Sequence, residues 1–409
     1  MSIQSSASAL LGGPLARWLD DTYLLDHWSR KGRVIKAADA AWFICRCLSY
    51  DGPPSIRTEL AALLQRGAVD WLSVTSLSNQ HFLTPALDMG LQCKALAHLL
   101  PRDLRSYLDM ISSHNRKRNR LIVTQAIQFF EALNSHGICP ILLKGGLSLF
   151  EAAAHEGLLM MADLDVLLTG EEFDVASNIL RSLGYITLGN TPNYAHATTF
   201  YKAGGLATID LHRNVGPQRR LLTAADARRS AVSLASHGLD LGGLSATHRV
   251  LLSLMNYCLF EPQYRNYELP LRGLHDLAVV CWQHRHRIDW DAITDTVRRN
   301  SLEAPARVWF NMARQLLSAP IPRTVCAAST ASRRLCLCSL QLNFPRLTWP
   351  FRFGSRLAWA FGAWRIDYRY GCGLRGWPLA AARLRHATKV LLKRLHIPAA
   401  SPHQGLLSR

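Results

Sequence analysis

The chain has 409 residues, of which 49% are hydrophobic, and a formal net charge of +18. That is enough apolar material for a sizeable core and enough length for two or three domains, which excludes a disordered or fibrous chain. No run of about 18 uncharged apolar residues occurs, so no membrane-spanning helix is expected. Residues 1–11 are uncharged and lack the basic start of a signal peptide.

Residues 1–30 are weakly specified, whereas 38–48 and 56–65 read as helices and 71–100 carries apolar residues at helical spacing. A stronger helix is predicted over 115–136, with Ile122, Ala126, Phe129, Phe130 and Leu133 on one face and Arg116, Lys117, Arg118 and Arg120 crowding its first turns. Gly137 offers the left-handed stop common after a helix. A short buried strand, 140–143, runs directly into Lys144-Gly145-Gly146, and a helix is expected from 147 to 154. Residues 160–168 (MMADLDVLL) form a second predicted strand, closed by Thr169-Gly170 and followed by a helix with Glu171 and Glu172 at its positive end. That helix stops at Gly184. A short strand at 185–187 and a hairpin, 198–202 with 207–212, complete a compact α/β unit.

From about 217 to 320 the chain is expected to be all-helical, with helices at 247–259, 271–282, 290–299 and 304–317. Pro320 and Pro322 mark a boundary. Beyond it, residues 321–409 hold fifteen Lys and Arg against one acid, Asp367, a balance of +14. The segment carries Trp349, Phe351, Phe353, Trp359, Phe361, Trp364, Tyr368 and Tyr370, then an amphipathic helix near 379–395. Its bias suits nucleic acid, anionic lipid or an acidic partner, while the same aromatics serve equally as a helical core with snorkelling arginines, which is the preferred reading. Ten cysteines, including Cys45-x-Cys47 and Cys336-x-Cys338, show no zinc-type spacing and are read as buried, reduced thiols of a cytoplasmic protein.

Three elements carry chemistry. Asp163 and Asp165 sit two apart on a predicted strand and so share a face. Paired carboxylates repel unless a cation lies between them, and Mg²⁺ takes such oxygens while leaving positions for phosphates. The Lys144-Gly145-Gly146 turn lets a backbone approach a phosphate at a helix start, with Lys144 as a point charge. It is not a Walker A loop, because GxxxxGK[ST] is missing. Asp210 supplies a third acid on a later strand and shares its face with His212, a candidate for a supporting role.

The ordered series ILLKGG, MADLDVLL and ATIDLH resembles the uncharacterised nucleotidyltransferase family of bacteria, within the DNA polymerase β-like nucleotidyltransferase superfamily. The resemblance covers roughly residues 70–320. It includes the helix before the glycine turn and the stretches 248–257, 271–277 and 287–290. It implies an α/β (α+β) nucleotidyltransferase core with a small mixed sheet, flanked by helical regions. On this reading 1–110 is an N-terminal helical region, 111–216 the catalytic core, 217–320 a helical domain and 321–409 a basic, aromatic region.

The resemblance further implies transfer of a nucleoside monophosphate from an NTP to an acceptor hydroxyl, with Mg²⁺ or Mn²⁺ and release of pyrophosphate. Asp163, Asp165 and Asp210 would be the catalytic and metal-holding residues, with Lys144, Gly145 and Gly146 on the phosphates. The turn is Gly-Gly rather than Gly-Ser, so no serine hydroxyl follows the first glycine. The acceptor stays open among small molecule, peptide, protein and RNA. An RNA-modifying or toxin-like enzyme is one alternative, and an inactive nucleotide- or nucleic-acid-binding protein another.

Overall fold

The structure, a computed structural model, describes residues 37–50, 54–151, 157–188, 197–216, 221–362, 366 and 376–395. The weakly specified residues 1–30 lie outside these. The chain divides between Trp349 and Pro350 into two compact units.

The first unit opens with helices α1 (Ala37–Leu48), α2 (Pro54–Gln65), α3 (Trp71–Gln80) and α4 (Thr84–Cys93). Then comes α5 (Arg102–Ser135), 34 residues long and so roughly 50 Å end to end. It starts well before the expected position at 115, because nothing between Pro101 and Gly137 breaks a helix. Gly137 ends it with a φ of +71°, as its position suggested.

The α/β part follows as β1 (Ile141–Leu142), α6 (Lys144–Glu151), β2 (Asp163–Leu167), α7 (Gly170–Ser182), β3 (Ile186–Thr187), β4 (Ala197–Tyr201) and β5 (Thr208–His212). Helix α6 begins at Lys144 itself rather than at 147, and residues 152–154 of its expected end lie outside the described residues. Helix α7 is fixed by a capping box, with Thr169 and Glu172 each satisfying the other's backbone N–H.

The all-helical expectation from 217 onward is overturned. After α8 (Ala224–Arg229) the chain forms a hairpin, β6 (Val232–Ser236) and β7 (Leu239–Gly243). Its two turn residues, His237 and Gly238, both have positive φ, the conformation that matches the twist of paired strands. The signal is faint because β7 ends in Gly242-Gly243, which reads as a loop. The glycine is needed there: a Cβ on Gly243 would lie 2.4 Å from Leu147 Cδ1.

The strands make one seven-stranded mixed sheet in the order β3-β4-β5-β2-β1-β7-β6. β2 runs parallel to β5, with Asp165 opposite Asp210, and β1 runs parallel to β7. By strand alternation Leu164, Val166, Ile209 and Leu211 share one face, and all four are fully buried. The opposite face carries Asp163, Asp165, Asp210 and His212.

After the hairpin come α9 (Ala246–Ser253), a π-helical turn (Leu254–Phe260), α10 (Pro262–Arg265), α11 (Leu271–Gln283), α12 (Trp290–Arg299), α13 (Glu303–Leu317) and α14 (Ala328–Asn343). Two hydrophobic cores result. One joins α1–α4 to the later helices around Phe43, Leu274, Trp309 and Leu335; the other lies on the apolar face of the sheet around Phe129, Phe130, Leu164 and Ile209. Helix α5 belongs to both, with Leu104 and Leu108 in the first and Ile122 to Leu133 in the second. Pro320 and Pro322 separate α13 from α14, yet Ala331, Leu335 and Cys338 of α14 enter the same core as Trp309.

The second unit contains most of α15 (Trp349–Ala360) and all of α16 (Gly376–Leu395). In it Phe361 packs edge-on against His386, and Arg383 Nε donates to the Phe361 carbonyl. Trp349, Phe353 and Trp377 are exposed. Trp364, Tyr368 and Tyr370 lie outside the described residues. Among the described residues no helix is long and apolar enough to cross a membrane, and the nine cysteines there are free thiols.

Phe130 is fully buried between Phe129 and Phe150, at ring separations of 5.5 and 5.4 Å. Phe130→Ala should cost about 3–5 kcal/mol of stability in the unit that holds the site, read as an earlier denaturant transition by intrinsic fluorescence.

Candidate active site

Asp165 is 2% exposed, and its Oδ1 accepts two hydrogen bonds, from Lys144 Nζ at 2.7 Å and from His212 Nε2 at 2.7 Å. A carboxylate only accepts, so His212 must carry its hydrogen on Nε2. Burial pushes the Asp165 carboxyl up, but Lys144 and His212 outweigh it and hold the group down at about 2. Asp163 and Asp210 lie on the same face without such direct support. Burial raises both, and the neighbouring Asp165 charge raises them further, against Lys144 and, for Asp210, the hydrogen bond from Thr199. Lys144 is itself pulled down by burial and more strongly up by the acids, so it stays protonated.

The elements explain this convergence. Parallel pairing of β2 with β5 places Asp165 beside Asp210. Leu143 N–H bonds the Asp165 carbonyl, bringing the end of β1 to the same point. Lys144 then turns with φ +46°, a left-handed conformation that costs a residue with a Cβ roughly 1–2 kcal/mol. A strained backbone that aims a lysine at a buried carboxylate is the kind of outlier that marks a working site.

Gly146 has a further role beyond the phosphate contact expected of it. A Cβ there would lie 3.1 Å from Leu164 Cδ2, so the glycine lets α6 press against β2. A Cβ on Gly145 would make only ordinary contact with Met161, which leaves its backbone as the feature of interest. The first turn of any helix presents N–H groups with no acceptor inside the helix.

Several residues that position the site carried no obvious signal in the sequence. Asn115 and Asn119, buried on α5, hold the carbonyls of Gly157 and Leu159. Arg118 donates to the Met161 and Leu206 carbonyls, and Gln125 to Ala207. Together they clamp the entries to β2 and β5. Arg249 on α9 is buried, pairs with Glu151 at 2.8 Å and reaches Ser148 Oγ, tying α6 to the helical part. Burial would raise Glu151, but His284 and Arg249 hold it at about 2. Glu261 ends the π-helical turn, where burial raises its carboxyl and the charge of Lys144 lowers it. A π-helical turn is the one local clue, since such turns recur at functional sites.

A divalent cation fits these residues. Asp165, Asp210 and His212 can bring one ligand atom each within 4.8 Å of one another. Asp210 Oδ1 is buried with no hydrogen-bond partner, an arrangement that is costly unless something positive binds it. Carboxylate oxygens are the donors that Mg²⁺ and Mn²⁺ prefer, and the Nε2–H of His212 supports one of those carboxylates. The structure groups His212 with the two central acids, whereas Asp163 lies on the same face outside that group.

A buried acidic site on adjacent parallel strands of a mixed sheet, beside a glycine turn that opens a helix, is the arrangement expected of a nucleotide-transferring enzyme. The family model described as uncharacterised nucleotidyltransferase matches residues 67–318, well over half the chain. The chain belongs to that family. Comparison with curated proteins and with solved structures finds no match.

Two outcomes follow from the raised carboxyls. An acid whose folded-state pKa lies above its ordinary value costs stability once ionised, so the metal-free protein loses stability as pH rises through that window. Asp210→Asn should therefore melt higher than the natural chain at pH 7 without metal, and should lose the upward shift that Mn²⁺ gives, a shift of about 2.7 kcal/mol at a hundredfold excess over Kd. Protons compete with metal at Asp163 and Asp210 from above the ordinary carboxylate range, while Asp165 keeps its charge. Mn²⁺ affinity measured by calorimetry should then fall as pH is lowered, beginning above the ordinary carboxylate range, with proton release growing.

Proposed function

We propose that this protein is a divalent-metal-dependent nucleotidyltransferase that moves a nucleoside monophosphate from an NTP to an acceptor hydroxyl. The observation that carries the reading is the gathering of Asp165, Asp210 and His212 around a buried, unpaired carboxylate oxygen, in a chain of nucleotidyltransferase family. Mg²⁺ or Mn²⁺ bound there would neutralise charge on the triphosphate and on the attacking and leaving oxygens.

The residues have separable tasks. Asp163 and Asp165 would hold the nucleotide's cation, and Asp210 would complete the acidic site on the acceptor side. The backbone of Gly145 and Gly146 meets phosphate oxygens at the start of α6. Lys144 balances Asp165 and would add positive charge beside the phosphates. His212 orients Asp165 through the bond at 2.7 Å. The acceptor oxygen attacks the α-phosphorus; a new P–O bond forms as the bond to the bridging oxygen breaks, and pyrophosphate leaves with that electron pair. The hydroxyl proton passes to the Asp210 carboxylate and on to solvent, a transfer favoured by an acid raised above its ordinary range.

Asp163→Ala should reduce Mn²⁺-dependent pyrophosphate release from NTP by about 10³-fold or more, some 4 kcal/mol of transition-state stabilisation, with an unchanged far-ultraviolet spectrum. Wild-type release rates in that variant would refute the assignment.

A further inference from the structure

The acid-bearing face of the sheet continues past Asp210 onto β4 and β3. Thr199 pairs with Asp210, and Ile186 pairs with Tyr201. Leu188 N–H bonds the Thr199 carbonyl, which extends the same register by one residue. Alternation then puts Ile186, Leu188, Thr199 and Tyr201 on the face that carries Asp163, Asp165 and Asp210, while Phe200 and Ile209 point into the core. Thr199 thus stands between Leu188 and Asp210 in one cross-strand row.

These side chains are open to solvent. Ile186 is 62% exposed, Leu188 44% and Tyr201 37%. Neighbouring strands lie about 4.8 Å apart, so the shelf begins roughly 5 Å from the Asp210 strand and ends near 10 Å. Along the strands it is two alternate residues deep, about 7 Å. That patch suits one or two rings and is far smaller than the roughly 800 Å² per partner of a stable protein interface. No Lys or Arg stands on this face in β2, β3, β4 or β5, whereas three acids do. A polyphosphate chain laid across these strands would meet the acids and no strand-borne cation, Lys144 being engaged by Asp165.

On the reading of the site as a nucleotidyltransferase, we propose that this shelf binds the acceptor, a small molecule with an uncharged apolar or aromatic body. Its hydroxyl reaches Asp210 while its body covers Tyr201, Ile186 and Leu188. The acceptor oxygen forms the bond to the α-phosphorus, pyrophosphate leaves, and the hydroxyl proton goes to Asp210. The shelf selects acceptors by apolar contact, and the phosphate end of the site is independent of it.

The test uses the full chain with Mn²⁺ and α-labelled NTPs, offering 3-phenylpropanol and N-acetyltyrosine ethyl ester, then glycerol, then an oligoribonucleotide. Ile186→Lys and Tyr201→Ala, both at exposed positions, are compared with the natural chain. Melting shifts with Mn²⁺ and NTP report the phosphate end separately. Label should pass to the two apolar-bodied hydroxyls in preference to glycerol, and each variant should raise the acceptor KM at least about tenfold with the melting shift intact. Labelling of the oligoribonucleotide alone, no labelling of the apolar-bodied hydroxyls despite a melting shift, or variants that match the natural chain would overturn the acceptor assignment and leave the metal–nucleotide site standing. Absence of any melting shift would overturn the underlying site as well.

Discussion

A carboxylate taken out of water needs compensation, and Asp165 receives it twice on one oxygen, from the charge of Lys144 and from a hydrogen bond donated by His212. Much of the local structure serves that arrangement. The end of β1 is hydrogen-bonded to the Asp165 backbone, and Lys144 takes a left-handed turn that few residues with a side chain adopt. His212 arrives because β5 runs parallel to β2 in a register that sets Leu167 opposite His212. The compensation is nonetheless incomplete, since Asp163 and Asp210 share the face and are both pushed toward protonation. A site that holds more negative charge than its own cations can balance is prepared for an incoming one.

Rigidity comes from elsewhere. Helix α5 lies in both hydrophobic cores, and from its middle Asn115, Arg118, Asn119 and Gln125 grip backbone carbonyls ahead of β2 and β5. The Arg249–Glu151 pair anchors α6 to α9 in a similar way. These contacts keep the acids at fixed spacing although they repel one another, which a preorganised site requires. The same sheet leaves Ile186, Leu188 and Tyr201 of its outer strands open to solvent on the acid side.

Much of this was legible in the sequence. Residue alternation put Asp163 with Asp165 and Asp210 with His212, and the apolar spacing of Ile122 to Leu133 marked the helix that covers the sheet. Strand pairing was not legible, because nothing local says that Asp165 stands opposite Asp210. The β6–β7 hairpin was hidden by Gly242-Gly243, whose small size serves packing against Ile141 and Leu147 rather than a loop. The contact of Lys144 with Asp165 was not legible either, since the direction of a side chain after a strand end depends on a backbone angle that the residue type does not announce. Arg118 stood out only as one of four basic residues crowded on the helix, yet its guanidinium is spent on carbonyls 43 and 88 residues away.

Electron paramagnetic resonance of Mn²⁺ tests most directly whether the three acids build one divalent-metal and nucleotide site. Titrating Mn²⁺ into the protein with a non-hydrolysable NTP analogue should show saturable loss of the free-ion signal. Asp165→Asn should abolish that loss, because it removes the charge at the centre of the group. Equal Mn²⁺ binding by the variant and the natural chain would contradict the account.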